Sequence, residues 1–482
     1  MRKLSFSSMV CMVFIFCAAA VIASPAQSFT TMMGFDGVNG GNPESFLIQV
    51  ADGSFYGTTR VGGTYGYGTV FKITPWGTLT TLHSFGAAEG QDPWGWLVQA
   101  TDGNFYGTTA SGGTYGHGTV FKITPGGTLT TLHSFTRADG GYLEAGLVQA
   151  SNGNFYGTTL AGGTHGKGTI FEITPSGTLT TLHNFNGADG INPCAGLVQA
   201  SDGNFYGTTF YGGTGANCTY SGHPGCGTVF KITPGGTLTT LHSFAGSDGA
   251  DPSAGLVQAT DGNFYGTTLQ AGTYGWGTVF KITPTGTLTT LYNFCSQPNC
   301  TDGANPWAGL VQADDGNFYG TASGGGTYNG GTVFKITSEG TLTTLHNFDS
   351  SDGASPWAGL VQATDGNFYG TTYVGGTDGD GTVFRLALGL GPFVETKPTS
   401  GWVGARVIIL GTNLTDATGV TFNGTAARFS VVSASEIRTT VPVGATTGEV
   451  KVTTPVGTLT SNVNFQVITP CGDCFYPRGQ DR

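Results

Sequence analysis

Residues 146–185 read GLVQASNGNFYGTTLAGGTHGKGTIFEITPSGTLTTLHNF. Four strand-like pieces lie in this stretch. Gly146 to Ala150 and Asn154 to Thr159 flank Asn152-Gly153, a pair that tolerates positive φ and so favours a tight hairpin. Gly168 to Thr174 is the third piece. Pro175 and Gly177 then turn the chain into the fourth, Thr178 to Phe185. Val, Ile, Phe, Tyr and Thr dominate all four, which suits a pleated sheet. Nothing between them has helical periodicity.

The stretch is one of seven copies. Asp-Gly-Asn-Phe-Tyr-Gly begins at Asp102, Asp202, Asp261, Asp315 and Asp365, with near-copies at Asp52 and Asn152. Four short antiparallel strands in roughly 50 residues describe a propeller blade. The ends of the array support a ring. The last copy stops at Leu386 without a fourth strand, while Phe29 to Phe35 matches Leu79 to Phe85 near the other end. The expected fold is therefore all-β: a seven-bladed β-propeller closed by the N-terminal strand, followed by an immunoglobulin-like β-sandwich. Closure would protect strand edges that an open array exposes.

Composition narrows the class. Of 482 residues 84 are Gly, without a three-residue period, so the chain is no collagen. Its 32 Phe, 18 Tyr and 7 Trp are ample for a core. Lys and Arg total 18 against 29 Asp and Glu, a formal charge of −11. With no basic cluster, nucleic acid is not an expected partner. Arg2 and Lys3 precede an apolar run from Met9 to Ile22 and then Ala23-Ser24-Pro25-Ala26, the layout of a secretory signal peptide. No later run is long enough for a transmembrane helix. The reading is a secreted, cell-surface or periplasmic monomer.

The DGNFYGTT, GTVFKIT and GTLTTLHSF segments resemble the GloVer tandem repeat of exported bacterial proteins, over residues 29–388. That resemblance implies export and repeat architecture and brings no chemistry. Residues 392–467, with Val407-Ile408-Ile409-Leu410-Gly411, Val420 to Gly424 and Val450 to Pro455, resemble an IPT/TIG domain. Such domains act as spacers or interaction modules. The division is 1–26 signal peptide, 27–390 propeller, 391–468 IPT/TIG domain and 469–482 tail.

The cysteines fit an oxidising compartment. Cys218 with Cys226, and Cys295 with Cys300, sit inside the two lengthened spacings and are expected to pair locally. Cys471 and Cys474 form a third candidate pair in the tail. Cys194 is left over, where other copies hold Trp or Ser.

Candidate chemistry is sparse. His83, His133, His183, His242 and His346 share one position of the fourth strand, so they should stand apart around the rim with no common metal. Acids before Gly, such as Asp139 and Asp248, read as turn caps. Calcium through those loops would lack a full oxygen shell, so no cofactor or metal is expected. The loop GTTxxGGTYGxG keeps its frame while its tips vary. Tyr65, Tyr67, Tyr115, His117, Lys167, Tyr274, Trp276 and Tyr328 are the ligand candidates, since a fixed frame with variable tips presents a binding surface. The partner would be a glycan, an envelope polymer or a protein. The expected function is a non-catalytic binding or structural module, with no catalytic residues. The alternative is a secreted polysaccharide hydrolase or lyase on a propeller scaffold.

Overall fold

The computed structural model describes residues 27–215, 218 and 224–468. The signal-peptide segment and the Cys471/Cys474 tail lie outside them. The structure is all-β. Seven four-stranded antiparallel sheets follow one another along the chain. The second is typical: Val98–Gln99, Phe105–Thr109, Thr119–Ile123 and Leu129–Ser134 pair in chain order. The seventh is assembled from both ends of the array. Val361–Gln362, Phe368–Thr372 and Thr382–Ala387 take Ser28–Gly34 as their fourth strand.

Sequence explains each strand. Phe105-Tyr106-Gly107-Thr108-Thr109 is buried throughout, so a central strand has no polar face. Gly107 is required there. A Cβ on it would lie 2.5 Å from Cζ of Phe121, whose ring crosses the strand. The fourth strand is half-buried along its length, with Thr130 exposed, as suits an edge.

Two circles of aromatic contacts join the sheets. In the inner circle each second-strand Tyr packs on the next sheet's Phe, from Tyr56–Phe105 through Tyr319–Phe368, at 4.0–4.3 Å between ring centroids. Tyr369–Phe55, at 4.2 Å, returns the series to the first sheet. The outer circle pairs Phe85 with Phe121 and its counterparts edge to face, at 5.2–5.5 Å, again returning through Phe35–Phe71. Such pairs contribute about 0.5–1.5 kcal/mol each beyond area burial.

A second unit follows. Glu395–Lys397, Arg406–Leu410, Glu436–Thr440 and Phe429–Ser433 form one sheet; Thr425–Ala426, Gly419–Phe422, Val450–Thr454 and Gly457–Thr460 form another. Val407, Ile409, Val420, Phe422, Ile437 and Val452 fill the core between them. This unit touches the hairpin turns of the first and seventh sheets. Lys397 Nζ donates to Gln49 O at 2.9 Å and Thr412 Oγ1 to Thr364 O at 3.2 Å. Ser435 Oγ donates to Ala51 O. Among the described residues no helix is long and apolar enough to cross a membrane.

Candidate active site

The site grows from the segment that leads into each first strand. That segment begins at a residue with positive φ: Asn42, Asp92, Tyr142, Asn192, Asp251, Asn305 or Ser355. Its N–H donates to a loop carbonyl of the preceding sheet, as Asp92 N does to Tyr67 O at 3.2 Å and Asn192 N to Lys167 O at 3.0 Å. Second-strand threonines hold the next residues. Thr108 Oγ1 donates to Ala145 O at 2.7 Å, and Thr158 Oγ1 to Ala195 O at 3.0 Å. These bonds are buried and repeat around the molecule. Each fixes one side chain from the following sheet at the centre.

The seven side chains so placed are Glu44, Trp94, Glu144, Cys194, Ser253, Trp307 and Trp357, and all line one cavity. Its water-accessible volume is about 60 Å³, and it opens into a mouth that brings the total empty space to about 520 Å³. The frame around this position repeats, yet its occupant changes in nearly every copy. Trp94 stands between the two acids in sheet order, and Trp307 and Trp357 occupy adjacent sheets. Trp307 stacks on Trp357 at 5.4 Å, and Trp357 on Tyr373 at 4.1 Å.

The two acids have unusual electrostatics. Glu44's side chain is 1 % exposed. Its Oε1 accepts from Arg60 Nη1 at 3.2 Å, while the buried Oε2 has no hydrogen-bond partner. Burial pushes the Glu44 carboxyl up to about 8, although Arg60 pulls it down. Burial likewise pushes Glu144 up to about 7, with Arg60's charge opposing. Arg60 also lies over the Trp94 ring, 4.7 Å from its centroid. Asp251, beside the ring, is pushed up to about 7 by burial alone. Cys194 is free, and burial raises its thiol too, so it is a poor nucleophile at neutral pH. Two carboxyls with separated proton affinities can divide acid and base roles. Among the described residues no three His, Cys, Asp or Glu side chains gather as a metal site.

The loop residues singled out by sequence lie elsewhere on the same face. Tyr65, Tyr115, Tyr274 and Tyr328 are exposed tips, 52–65 % accessible, and Tyr67 and Trp276 are also exposed. Tyr67, His117, Lys167 and Trp276 give their carbonyls to the next sheet at the seams. Lys167 Nζ donates to Asn186 O at 2.7 Å. These eight form an outer circle and none lines the central cavity. Of the variable residues after GTT, Arg60, Phe210 and Tyr373 approach residues of the central ring.

Each fourth-strand His has its own acid. His133 Nε2 lies 2.9 Å from Asp139 Oδ2, whose other oxygen accepts from Thr136 N at 2.8 Å. The same pairing recurs at His83, His183, His242 and His346. Turn acids thus cap a turn and anchor a strand. Cys218 and Cys226 are disulfide-paired with Cα atoms 5.2 Å apart, as are Cys295 and Cys300 at 4.0 Å.

The sequence matches the Gloeobacter/Verrucomicrobia repeat over residues 20–221 and 217–431. The chain belongs to the Gloeobacter/Verrucomicrobia repeat family. No curated protein matches it. Solved structures similar to this Gloeobacter/Verrucomicrobia repeat protein include the periplasmic gluconolactonase of Pseudomonas aeruginosa, 16 % identical, with 70 % of this chain and 99 % of that one covered and a TM-score of 0.44. A gluconolactonase from Xanthomonas campestris is 15 % identical over 59 % of this chain and 82 % of its own, with a TM-score of 0.37. Hydrazine synthase of Kuenenia stuttgartiensis is 14 % identical over 72 % and 96 %, with a TM-score of 0.50. Likeness at this level bears on fold, and the fold is propeller-like.

These neighbours correct the expectation of a non-catalytic module. The structures that share the fold are named as enzymes. The physical reason for the error lies in the repeats. The acids that recur from repeat to repeat are turn caps, as at Asp139 and Asp248. Glu44 and Glu144 occur where the repeat breaks its own symmetry, and they meet only at the centre.

Proposed function

We propose that this protein is a hydrolase acting on a carbohydrate-derived substrate in the central pocket. One observation carries the reading: two buried carboxyls, Glu44 and Glu144, line one cavity, and burial raises the proton affinity of both toward neutral pH. Glu44 donates its proton to the departing oxygen. Glu144, ionised, takes a proton from the attacking water, and the two protons are exchanged with solvent before the next turnover. Trp307 and Trp357 offer the apolar faces that sugar rings stack against. Arg60 holds Glu44 in place and keeps Glu144's affinity for protons in check.

Around this centre the proposal includes the remaining expectations. The seven sheets are blades of a closed propeller, and residues 391–468 are an IPT/TIG-type immunoglobulin-like domain. The protein is exported, in line with its two paired cysteine loops. Tyr65, Tyr67, Tyr115, His117, Lys167, Tyr274, Trp276 and Tyr328 contact the outlying parts of a longer glycan.

The test is a panel of methyl monoglycosides and aldonolactones, whose departing oxygens need a proton, assayed across pH 5–9. Turnover by the wild type, falling about a hundredfold or more in Glu44→Gln and Glu144→Gln, supports the reading. The rate should fall below about pH 7, as Glu144 gains its proton, and above about pH 8, as Glu44 loses its own. No turnover of any substrate, or turnover unaffected by both substitutions, sinks it.

A further inference from the structure

Two residues beyond the ring side chains comes a second layer. Five sheets place Gly there: Gly146, Gly196, Gly255, Gly309 and Gly359. The first two sheets place Phe46 and Trp96. These two rings meet edge to face at 5.3 Å. They lie on the glycines of other sheets. A Cβ on Gly196 would stand 2.1 Å from Trp96 Cη2, and one on Gly359 2.0 Å from Phe46 Cε1. A Cβ on Gly146 would stand 2.6 Å from Trp96 Cδ2. Trp96 thus reaches from the second sheet to the fourth, across the centre. Gly146 and Gly196 leave the space that the Trp96 ring occupies and Gly359 that of Phe46, while Gly255 and Gly309 let the neighbouring backbones approach, each with a Cβ position 3.0 Å from the preceding sheet's carbonyl oxygen. Both rings also line the cavity that holds Glu44 and Glu144.

From this juxtaposition we infer that Phe46 and Trp96 form the floor of a single-ended pocket, which admits one terminal sugar ring and makes the enzyme release monosaccharides from chain ends. The inference rests on the hydrolase reading and specifies its substrate. A polymer cannot thread past two aromatic rings packed on backbone. With the acids just above the floor, the bond in reach is the one joining the first ring to the rest of the chain. Ser253 and Cys194, the smallest ring side chains, leave width on one side for that ring's substituents.

The experiment uses the full mature chain and the sugar identified by the monoglycoside panel. An oligosaccharide of that sugar is offered with free ends and with both ends chemically blocked, and products are followed by chromatography from the first time point. Monosaccharide alone from free-ended chains, and no attack on blocked chains, is the expected result. Cleavage of blocked chains, or longer products first, overturns the floor while leaving the hydrolase reading intact. No hydrolysis of any substrate overturns both. Two variants then test the floor itself. Trp96→Gly places in the second sheet what five others already carry, and Trp96→Leu guards against a cavity that unsettles the fold. In Trp96→Gly the KM for the monoglycoside should rise about tenfold, the worth of one lost aromatic contact, with kcat nearly unchanged and disaccharide among the products. An unchanged KM and product pattern in both variants would remove Trp96 from this role.

Discussion

Substituting Glu44 by glutamine removes a proton that the folded chain holds up to about pH 8. The effect on stability has a definite sign. A carboxyl whose folded affinity for protons is raised contributes stability that is complete below its ordinary value near 4.5 and is lost as pH rises through about 8. Glu44→Gln should therefore match the wild type at pH 5 and melt higher at pH 8.5, the gap growing by roughly 1 kcal/mol per pH unit between. Calorimetry at the two pH values decides it; equal melting temperatures at both would show that Glu44 is not buried as described. Gly107 gives a second test at this scale. Gly107→Ala drives a methyl into Phe121 and should cost about 1–3 kcal/mol. Gly126→Ala, whose nearest neighbour stands at 3.9 Å, should be within about 0.5 kcal/mol of neutral. Denaturant titration of both variants measures the difference.

Within a sheet, second and third strands are tied by a charged side-chain cluster. Asp102 Oδ2 accepts from Lys122 Nζ at 2.8 Å and from Tyr106 OH at 3.0 Å. Burial pushes Asp102 up, yet Lys122, Asn104 and Tyr106 together hold it down to about 2. Asp202 and Asp261 behave alike. Their contribution is present above the ordinary carboxylate value of 3.8 and is lost as pH falls through about 2. Acid unfolding should be centred in that window, and raised salt should shift it, since these ions are partly exposed. The third sheet inverts the cluster: Asn152 replaces the acid and Glu172 the lysine, and Glu172 Oε1 accepts from Asn154 at 2.7 Å and Tyr156 at 2.9 Å. Glu172→Lys alone should destabilise, and Asn152→Asp added to it should restore stability. A double-mutant cycle without coupling would refute the exchange. Sequence made this element scale readable, because turn dipeptides and β-branched runs mark strands locally. It overestimated one strand. Gly146 to Ala150 shrinks to Val148–Gln149 because the residues before it lend their backbone groups to the neighbouring sheet.

At the scale of the molecule, the pairing of Ser28–Gly34 with Thr382–Ala387 was legible, since a missing strand at one end of the array matched a spare one at the other. The pocket was not. Its residues run from Glu44 to Trp357 and no local pattern joins them. Only the identity of the repeat outside this position, and its variability within it, marked the place. Removing residues 27–35 should strip the seventh sheet of an edge, expose Phe71, and lower the melting temperature far more than removing 469–482; equal losses would refute closure through the N-terminal strand. Thr31 donates to a carbonyl 321 residues along the chain. A ribosome makes the first of these partners long before the second. Until Thr382–Ala387 has emerged, Ser28–Gly34 has no strand to pair with. The seventh sheet therefore cannot close before the rest of the array exists, and anything that shields Phe29 to Phe35 in the interval should raise the yield of folded protein.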